Sequence, residues 1–281
     1  MKLKEILSNL KNNQALLHYN VSTFEQIKAG IEAVKETKIP LIFGVSEGER
    51  EYLGEGLVRK ILDFYEQDEN LKDLIFLNAD HCKSLKSAIN AINLNYDAVL
   101  FDGSDFNTED NIKITKEIVI YKKDKDILIE GEVGKIEGKS EIQNEVEVKE
   151  EYLTKIETAV KFVEDTKVDL LAVSIGNIHG ITDKEPELDI ERGREIAETV
   201  KIPLVLHGAS GLSLEKIRKC IQVGFKIVHF NTEFRKIWKD NLLKSLEKET
   251  ITPYKILPSV VEALKIKIID YQKKFFNFEI N

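Results

Sequence analysis

Residues 74–81 read Leu74-Ile75-Phe76-Leu77-Asn78-Ala79-Asp80-His81, and this stretch decides the fold. Four apolar residues in a row, with no polar alternation, are expected of a strand covered on both faces. The polar end, Asn78 to His81, falls where strand gives way to loop. Downstream, Leu85, Ala88, Ile89 and Ile92 mark one face of a helix.

The same unit recurs along the chain. Strands are expected near Ala15–Val21, Pro40–Ser46, Leu74–His81, Ala98–Ser104, Ile127–Val133, Leu170–Asn177, Leu204–Ala209 and Ile227–Asn231. Between them Phe24, Ile27, Ile31 and Val34 share a helical face behind a Ser22-Thr23-Phe24-Glu25 capping box. Leu214, Ile217 and Ile221 share another after Ser213, while Pro40 and Pro203 punctuate strand starts. Eight β-then-α units in 281 residues point to an α/β fold. The expected form is a (β/α)8 TIM barrel, one domain over residues 1–281, with function on the loops after the strands. A doubly wound open sheet is the alternative, but no Gly-x-Gly-x-x-Gly follows the first strand. No linker or low-complexity tract divides the chain. The acidic stretch Glu141–Glu151 reads as a mobile loop after strand five. An additional C-terminal helix, about Pro258 to Phe276, carries Val261, Leu264, Ile268 and Phe275, and closes the barrel or packs on another subunit.

The apolar share of 42% is enough for a substantial core, and the net charge of −8 argues against a general nucleic-acid or anionic-membrane surface. No stretch has signal-peptide or membrane-spanning character. Cys82 and Cys220 form no disulfide framework, so a reducing cytoplasm is the expected location.

Of five histidines, His81, His179 and His207 lie at strand-to-loop junctions, in Asn78-Ala79-Asp80-His81, Gly176-Asn177-Ile178-His179-Gly180 and Leu206-His207-Gly208. Three imidazoles from three strand ends can meet at one point if those strands lie side by side. A three-imidazole site with an open position suits catalytic zinc acting as a Lewis acid. Asp80, directly before a would-be ligand, reads as an acid or base beside the metal. Asp102 and the pair Glu130 and Glu132, which point the same way along a strand, are further ligands or carboxylates that orient a histidine. His18, inside the first strand, reads as a core residue. Gly208-Ala209-Ser210-Gly211 and Asn231-Thr232 follow strands seven and eight, where barrels often build a phosphate cradle. A tight turn with no ligand would use the same small residues.

With these three histidine motifs in order, the chain resembles the class II, zinc-dependent fructose-bisphosphate and ketose-bisphosphate aldolases over nearly its whole length. Tyr19-Asn20-Val21, Pro40 to Ser46 and Ile129-Glu130-Gly131-Glu132-Val133-Gly134 match further elements of that family. The resemblance implies His81, His179 and His207 as zinc ligands, with Glu132 and Asp102 as alternative or second-cation ligands. It implies Asp80 as acid/base at the C4 hydroxyl. Gly180, Gly208, Ser210, Asn231 and Thr232 would hold the phosphate of dihydroxyacetone phosphate, and Asn20 and Ser46 would line the pocket. The implied reaction is reversible cleavage of a ketose 1,6-bisphosphate, by default fructose 1,6-bisphosphate, to dihydroxyacetone phosphate and an aldehyde such as glyceraldehyde 3-phosphate. Zinc would stabilise the enediolate, and the partner is thus a small phosphorylated sugar. A monovalent cation near the phosphate loops and assembly as a homodimer or homotetramer are common in the family.

Three departures stand out. Ser140, in Glu137-Gly138-Lys139-Ser140-Glu141, occupies the family's proton-abstracting glutamate position, so Glu141 is the nearest substitute. His229 replaces a substrate-contacting asparagine, and either donates one hydrogen bond in its stead or fills the core. No arginine follows Arg235, although many relatives bind the distal phosphate with one, so Lys255 or Lys265 would have to replace it. A tagatose-bisphosphate or other phosphorylated-ketose aldolase, a metal hydrolase and a non-catalytic zinc-containing sugar-phosphate binder stay open as alternatives.

Overall fold

The computed structural model describes residues 2–247 and 249–276. Its strands are β1 (Leu16–Asn20), β2 (Leu41–Val45), β3 (Ile75–Cys82), β4 (Ala98–Phe101), β5 (Leu128–Val133), β6 (Gly138–Gln143), β7 (Leu170–Val173), β8 (His179–Thr182), β9 (Leu204–Leu206) and β10 (Phe225–Phe230). All but β6 and β8 close into one parallel barrel, in the order β1-β2-β3-β4-β5-β7-β9-β10. The seam is sealed by pairing of β1 with β10, which sets Leu17 opposite Val228 and His18 opposite His229. The fold is the expected (β/α)8 barrel.

The helices are α1 (Leu3–Asn9), α2 (Phe24–Thr37), α3 (Glu47–Leu53), α4 (Leu57–Tyr65), α5 (Leu85–Asn93), α6 (Thr108–Lys122), α7 (Ile156–Thr166), α8 (Ile190–Val200), α9 (Leu214–Val223), α10 (Thr232–Leu246), α11 (Pro253–Ile256) and α12 (Pro258–Phe276). Among the described residues, no helix is long and apolar enough to cross a membrane.

The two-residue period of a strand sorts the side chains. Leu17, Tyr19, Phe43, Leu77, Val99, Ile129, Leu171 and Val228 join the large cluster between barrel and helices. A separate cluster holds Leu16, Ile42, Phe76, Ala98, Leu128, Leu170, Val205 and Ile227, one from each barrel strand, closed off by Leu3, Ile6 and Leu7 of α1. Two residues further along each strand, the inward set becomes His18, Gly44, Asn78, Leu100, Glu130, Ala172, His207 and His229. An apolar floor thus gives way to a polar layer as the strands run toward their C-terminal ends. Beyond that layer the set is Asn20, Ser46, Asp80, Asp102, Glu132 and Ser174. The carboxylate of Asp169, just before β7, anchors the opposite end by accepting from Ile129 N (3.0 Å), Lys4 Nζ (3.2 Å) and Lys122 Nζ.

Several details differ from the sequence reading. Strands six and seven stop at Val173 and Leu206 rather than at Asn177 and Ala209. The backbone turns there because Asn177 Oδ1 accepts from Ile175 N (2.9 Å) and Asn177 Nδ2 donates to the His207 carbonyl (3.0 Å). The acidic loop begins as a strand, since β6 pairs in parallel with β8 and Gln143 Nε2 donates to the carbonyls of Lys139 and His179. Helix α2 is capped one residue later than expected, with Thr23 Oγ1 accepting from Gln26 N. Phe24 is then the first residue of the helix and is 51% exposed, while Ile27, Ile31 and Val34 are buried. Helix α12 packs within its own chain, beside α2 and β1, where Gln272 Nε2 donates to the Ile39 carbonyl and Ala15 N to the Phe275 carbonyl.

Candidate metal centre and active-site cavity

The three histidines singled out in the sequence converge. Their potential ligand atoms all lie within 4.8 Å of one another. The rings stand nearly edge-on, with centroids 5.0–6.0 Å apart and interplanar angles of 70–80°. Each arrives by a different local device. Asp80 and His81 sit where the β3–β4 register slips between Ala79 and Cys82. His81 takes a left-handed backbone, φ 48°. A regular strand would send these adjacent side chains to opposite faces, whereas the irregularity lets both reach one cavity. His179 starts β8, beyond the end of barrel strand β7. His207 follows β9, and the turn after it needs Gly208 (φ 68°), because a Cβ there would lie 2.0 Å from the Ile178 carbonyl oxygen.

Hydrogen bonds fix which nitrogen each ring presents. Asp102 Oδ2 is 2.7 Å from His81 Nδ1, and Glu130 Oε1 is 2.9 Å from His207 Nε2. His179 Nδ1 lies 3.3 Å from the Ile136 carbonyl, so its Nε2 is left buried and without a partner. An orphaned imidazole nitrogen between two other imidazoles is what a bound cation would satisfy, and neutral nitrogen donors suit zinc. Burial and the charge of His81 lower His179 to about 3, and burial with the same charge does so for His207. Both are then neutral, the form that ligates. Burial also pulls on His81, but the Asp80, Asp102 and Glu132 carboxylates outweigh it and raise its imidazole to about 10, so His81 holds a proton that a cation bound at its Nε2 would have to displace. Glu132, with Oε2 3.9 Å from His81 Nδ1, is pushed up to about 8 by burial and by neighbouring Asp102. His81, Asp102 and Glu132 form a second cluster with metal-ligand spacing, behind the first.

A cavity of about 260 Å³ opens on the three rings. Asp80 projects into it. Its Oδ2 accepts from Asn20 Nδ2 (2.9 Å), and its Oδ1 is buried without a partner. Burial opposes ionisation of this carboxyl, yet His81, His229 and His18 hold it well below the ordinary range. The opposite wall is built from Gly180, Gly208 and Ser210, with Asn231 and Thr232 at the N-terminus of α10. Ser46 and His229 complete the set, so every substrate-binding residue expected from the sequence lines this one cavity.

Glu141 does not. Alternation along β6 turns Ser140 into the cavity and Glu141 away, into an adjoining hollow beside Tyr52, Trp238 and Lys239. Lys265 also lies elsewhere, paired with Glu262 (2.9 Å) and Glu36 (3.8 Å), and exposed Lys255 lines neither hollow. Two residues escaped the sequence reading. Arg235, one turn into α10, lines both hollows and donates to Glu49 Oε1 (2.8 Å) and the Ser140 carbonyl (3.2 Å). Glu49 is 5% exposed and also accepts from Asn20 Nδ2 (3.0 Å) and Ser46 N (2.8 Å). A Ser46-x-x-Glu49 capping box at the start of α3 was the available signal for it.

Residues 1–277 match the family model described as fructose-bisphosphate aldolase class-II. This chain belongs to that family. Membership makes it an aldolase, a lyase. Similar proteins include a fructose-bisphosphate aldolase of Ureaplasma parvum, 35% identical over 97% of this chain and 95% of its own. A sulfofructosephosphate aldolase of Alkalicoccus urumqiensis is 32% identical over 87% and 84%. Among solved structures, the YdjI aldolase of Escherichia coli K12 superposes with a TM-score of 0.83 at 26% identity, covering 98% of this aldolase and 96% of that chain. Zinc dependence is general for class II.

Proposed function

We propose that this aldolase binds one zinc ion through His81, His179 and His207 and reversibly cleaves a ketose 1,6-bisphosphate, by default fructose 1,6-bisphosphate. The products are dihydroxyacetone phosphate and an aldehyde. The observation that carries the reading is the convergence of three imidazoles beside a buried carboxylate with one unpartnered oxygen. Zinc held there supplies Lewis-acid polarisation of the C2 carbonyl.

The chain's own groups do the rest. Asp80 Oδ1 takes the proton of the C4 hydroxyl as the C3–C4 bond breaks and its electron pair passes toward the C2 carbonyl oxygen. The enediolate left behind takes a separate proton at C3 to become dihydroxyacetone phosphate, and in condensation Asp80 returns its proton to the aldehyde oxygen. Asn20, donating to Oδ2, fixes the carboxylate plane. The N-terminus of α10, with Ser210, Gly208 and Gly180 beside it, faces a phosphate with backbone N–H groups and hydroxyls. Glu130 holds His207, and Asp102 holds His81 with Glu132 close by, so the ligands are oriented before metal arrives.

A second reading concerns the far end of the sugar. Arg235 is the guanidinium that lines the cavity, and it is already paired with Glu49. One shared cation favours a monoanionic or neutral distal group as readily as a phosphate dianion, and one relative carries the name sulfofructosephosphate aldolase.

The test is direct. Zinc-loaded protein is given fructose 1,6-bisphosphate, its tagatose epimer and a ketose 1-phosphate with an uncharged end, and release of triose phosphate is followed. Cleavage of at least one, abolished by chelation, is expected. No cleavage of any would leave a non-catalytic sugar-phosphate binder.

A further inference from the structure

His18 sits beneath the cavity, fully buried, and does not line it. It is the register partner of His229 across the β1–β10 seam. Their rings stack face to face, with centroids 3.5 Å apart and planes within 3°. His18 is itself fixed: Asn78 Nδ2 lies 3.1 Å from its Nε2, and its ring fills the space beside Gly44, where a Cβ would stand 2.0 Å from Cε1. His229 lines the cavity. It has no hydrogen-bond partner on either ring nitrogen, and its Nδ1 is 3.6 Å from Asp80 Oδ1.

The pair is no second metal site, although its nitrogens and Asp80 lie close together. An imidazole binds metal along the lone pair in its own plane. Two parallel stacked rings aim those lone pairs side by side, so one ion bonded to both would lie far out of each plane. What stacking does accomplish is orientation. An imidazole with two free nitrogens has a broad χ2 well, and neither ring nitrogen of His229 makes a hydrogen bond that would fix its plane. Its other ring neighbour, His207, is tilted by 44°.

We propose that His18 is a positioning residue: by stacking, it sets the plane of His229 and so presents His229 Nδ1 to the free oxygen of Asp80. This rests on the assignment of Asp80 as acid/base. Asn20 then grips one carboxylate oxygen, and His229 faces the other, so that Oδ1 meets the C4 hydroxyl in a single orientation. Gly44 and Asn78 serve the same end by making and holding the slot for His18.

The test compares H18A with H18F, which keeps a flat ring in the slot but loses the bond to Asn78. H18A should lower kcat by ~10- to 100-fold, the cost of a misaligned catalytic group, with KM and zinc stoichiometry near wild type. H18F should recover most of that loss although it is itself the less polar neighbour for Asn78. The His229 ring proton resonance, followed in the metal-free protein, should carry an upfield ring-current shift in wild type and H18F and lose it in H18A. Wild-type kcat in H18A, or H18F no better than H18A, would overturn the proposal. If the wild-type protein cleaves no ketose phosphate, the reaction assigned above falls, and an unchanged His229 resonance in H18A would overturn the positioning role separately.

Discussion

Glu130 Oε1 stands 2.9 Å from Nε2 of His207, one inward position below Glu132 on the same strand. This bond commits Nε2 of His207 and leaves Nδ1 for the cavity. Carboxylates that orient a ligating imidazole typically contribute 10- to 100-fold in metal affinity. Glu130→Ala should therefore weaken zinc binding by ~10- to 100-fold, measured by competition with a chelator of known affinity. Unchanged affinity would mean that His207 needs no such support.

Asp80 and His207 separate chemistry from metal retention. Asp80→Ala should keep zinc and lose turnover by ~10²- to 10⁴-fold, the usual range for a positioned acid/base. His207→Ala should lose the metal. Metal content by atomic absorption beside kcat distinguishes them, and normal turnover in Asp80→Ala would remove its assigned role.

Glu141 supplies a test of the strand alternation. Because it faces the outer hollow, Glu141→Ala should leave proton exchange at C3 of dihydroxyacetone phosphate within ~3-fold of wild type. A loss of ~100-fold, read by deuterium uptake in NMR, would require β6 to turn over when substrate binds.

Asp169 gives a pH-dependent stability. Burial pushes its carboxyl up, but the Ile129 N–H and the ammoniums of Lys122 and Lys4 outweigh it and hold it below the ordinary value of 3.8. A depressed folded value adds stability above the unfolded value, and that stability is lost as pH falls through the folded one. Asp169→Asn should cost about 1.5–3 kcal/mol at pH 7, and the difference from wild type should shrink below about pH 3.8. Urea denaturation at pH 7 and pH 3 checks both; an equal loss at each would show that the charge is irrelevant.

Much of this was legible in the residues, for reasons that are local. Uninterrupted apolar runs such as Leu74-Ile75-Phe76-Leu77 can serve only where both faces are covered, so the closed parallel barrel followed from counting them. The histidine motifs were legible because each lies at or just beyond the C-terminal end of a barrel strand, His179 six residues past Val173. What escaped depended on register and on long-range pairing. The positive φ of His81 arises from a slip against β4 that no single strand reveals. His18 reads as core because it lies inside the first strand, and only the closing of β1 on β10 shows the ring it is buried against. Glu141 read as a substitute base from proximity in sequence, but one residue along a strand reverses the direction of a side chain. Arg235 drew notice only as the last arginine, since its reach to Glu49 spans the barrel mouth from α10 to α3.

The most direct measurement is X-ray absorption at the zinc edge of the stoichiometrically loaded protein. Three imidazole nitrogens at about 2.0–2.1 Å with one further light-atom ligand are expected, falling to two imidazoles or to no bound metal in His179→Ala. A spectrum with fewer than two imidazoles in the wild type, or one unaltered in His179→Ala, would contradict the shared grip of His81, His179 and His207 on one ion.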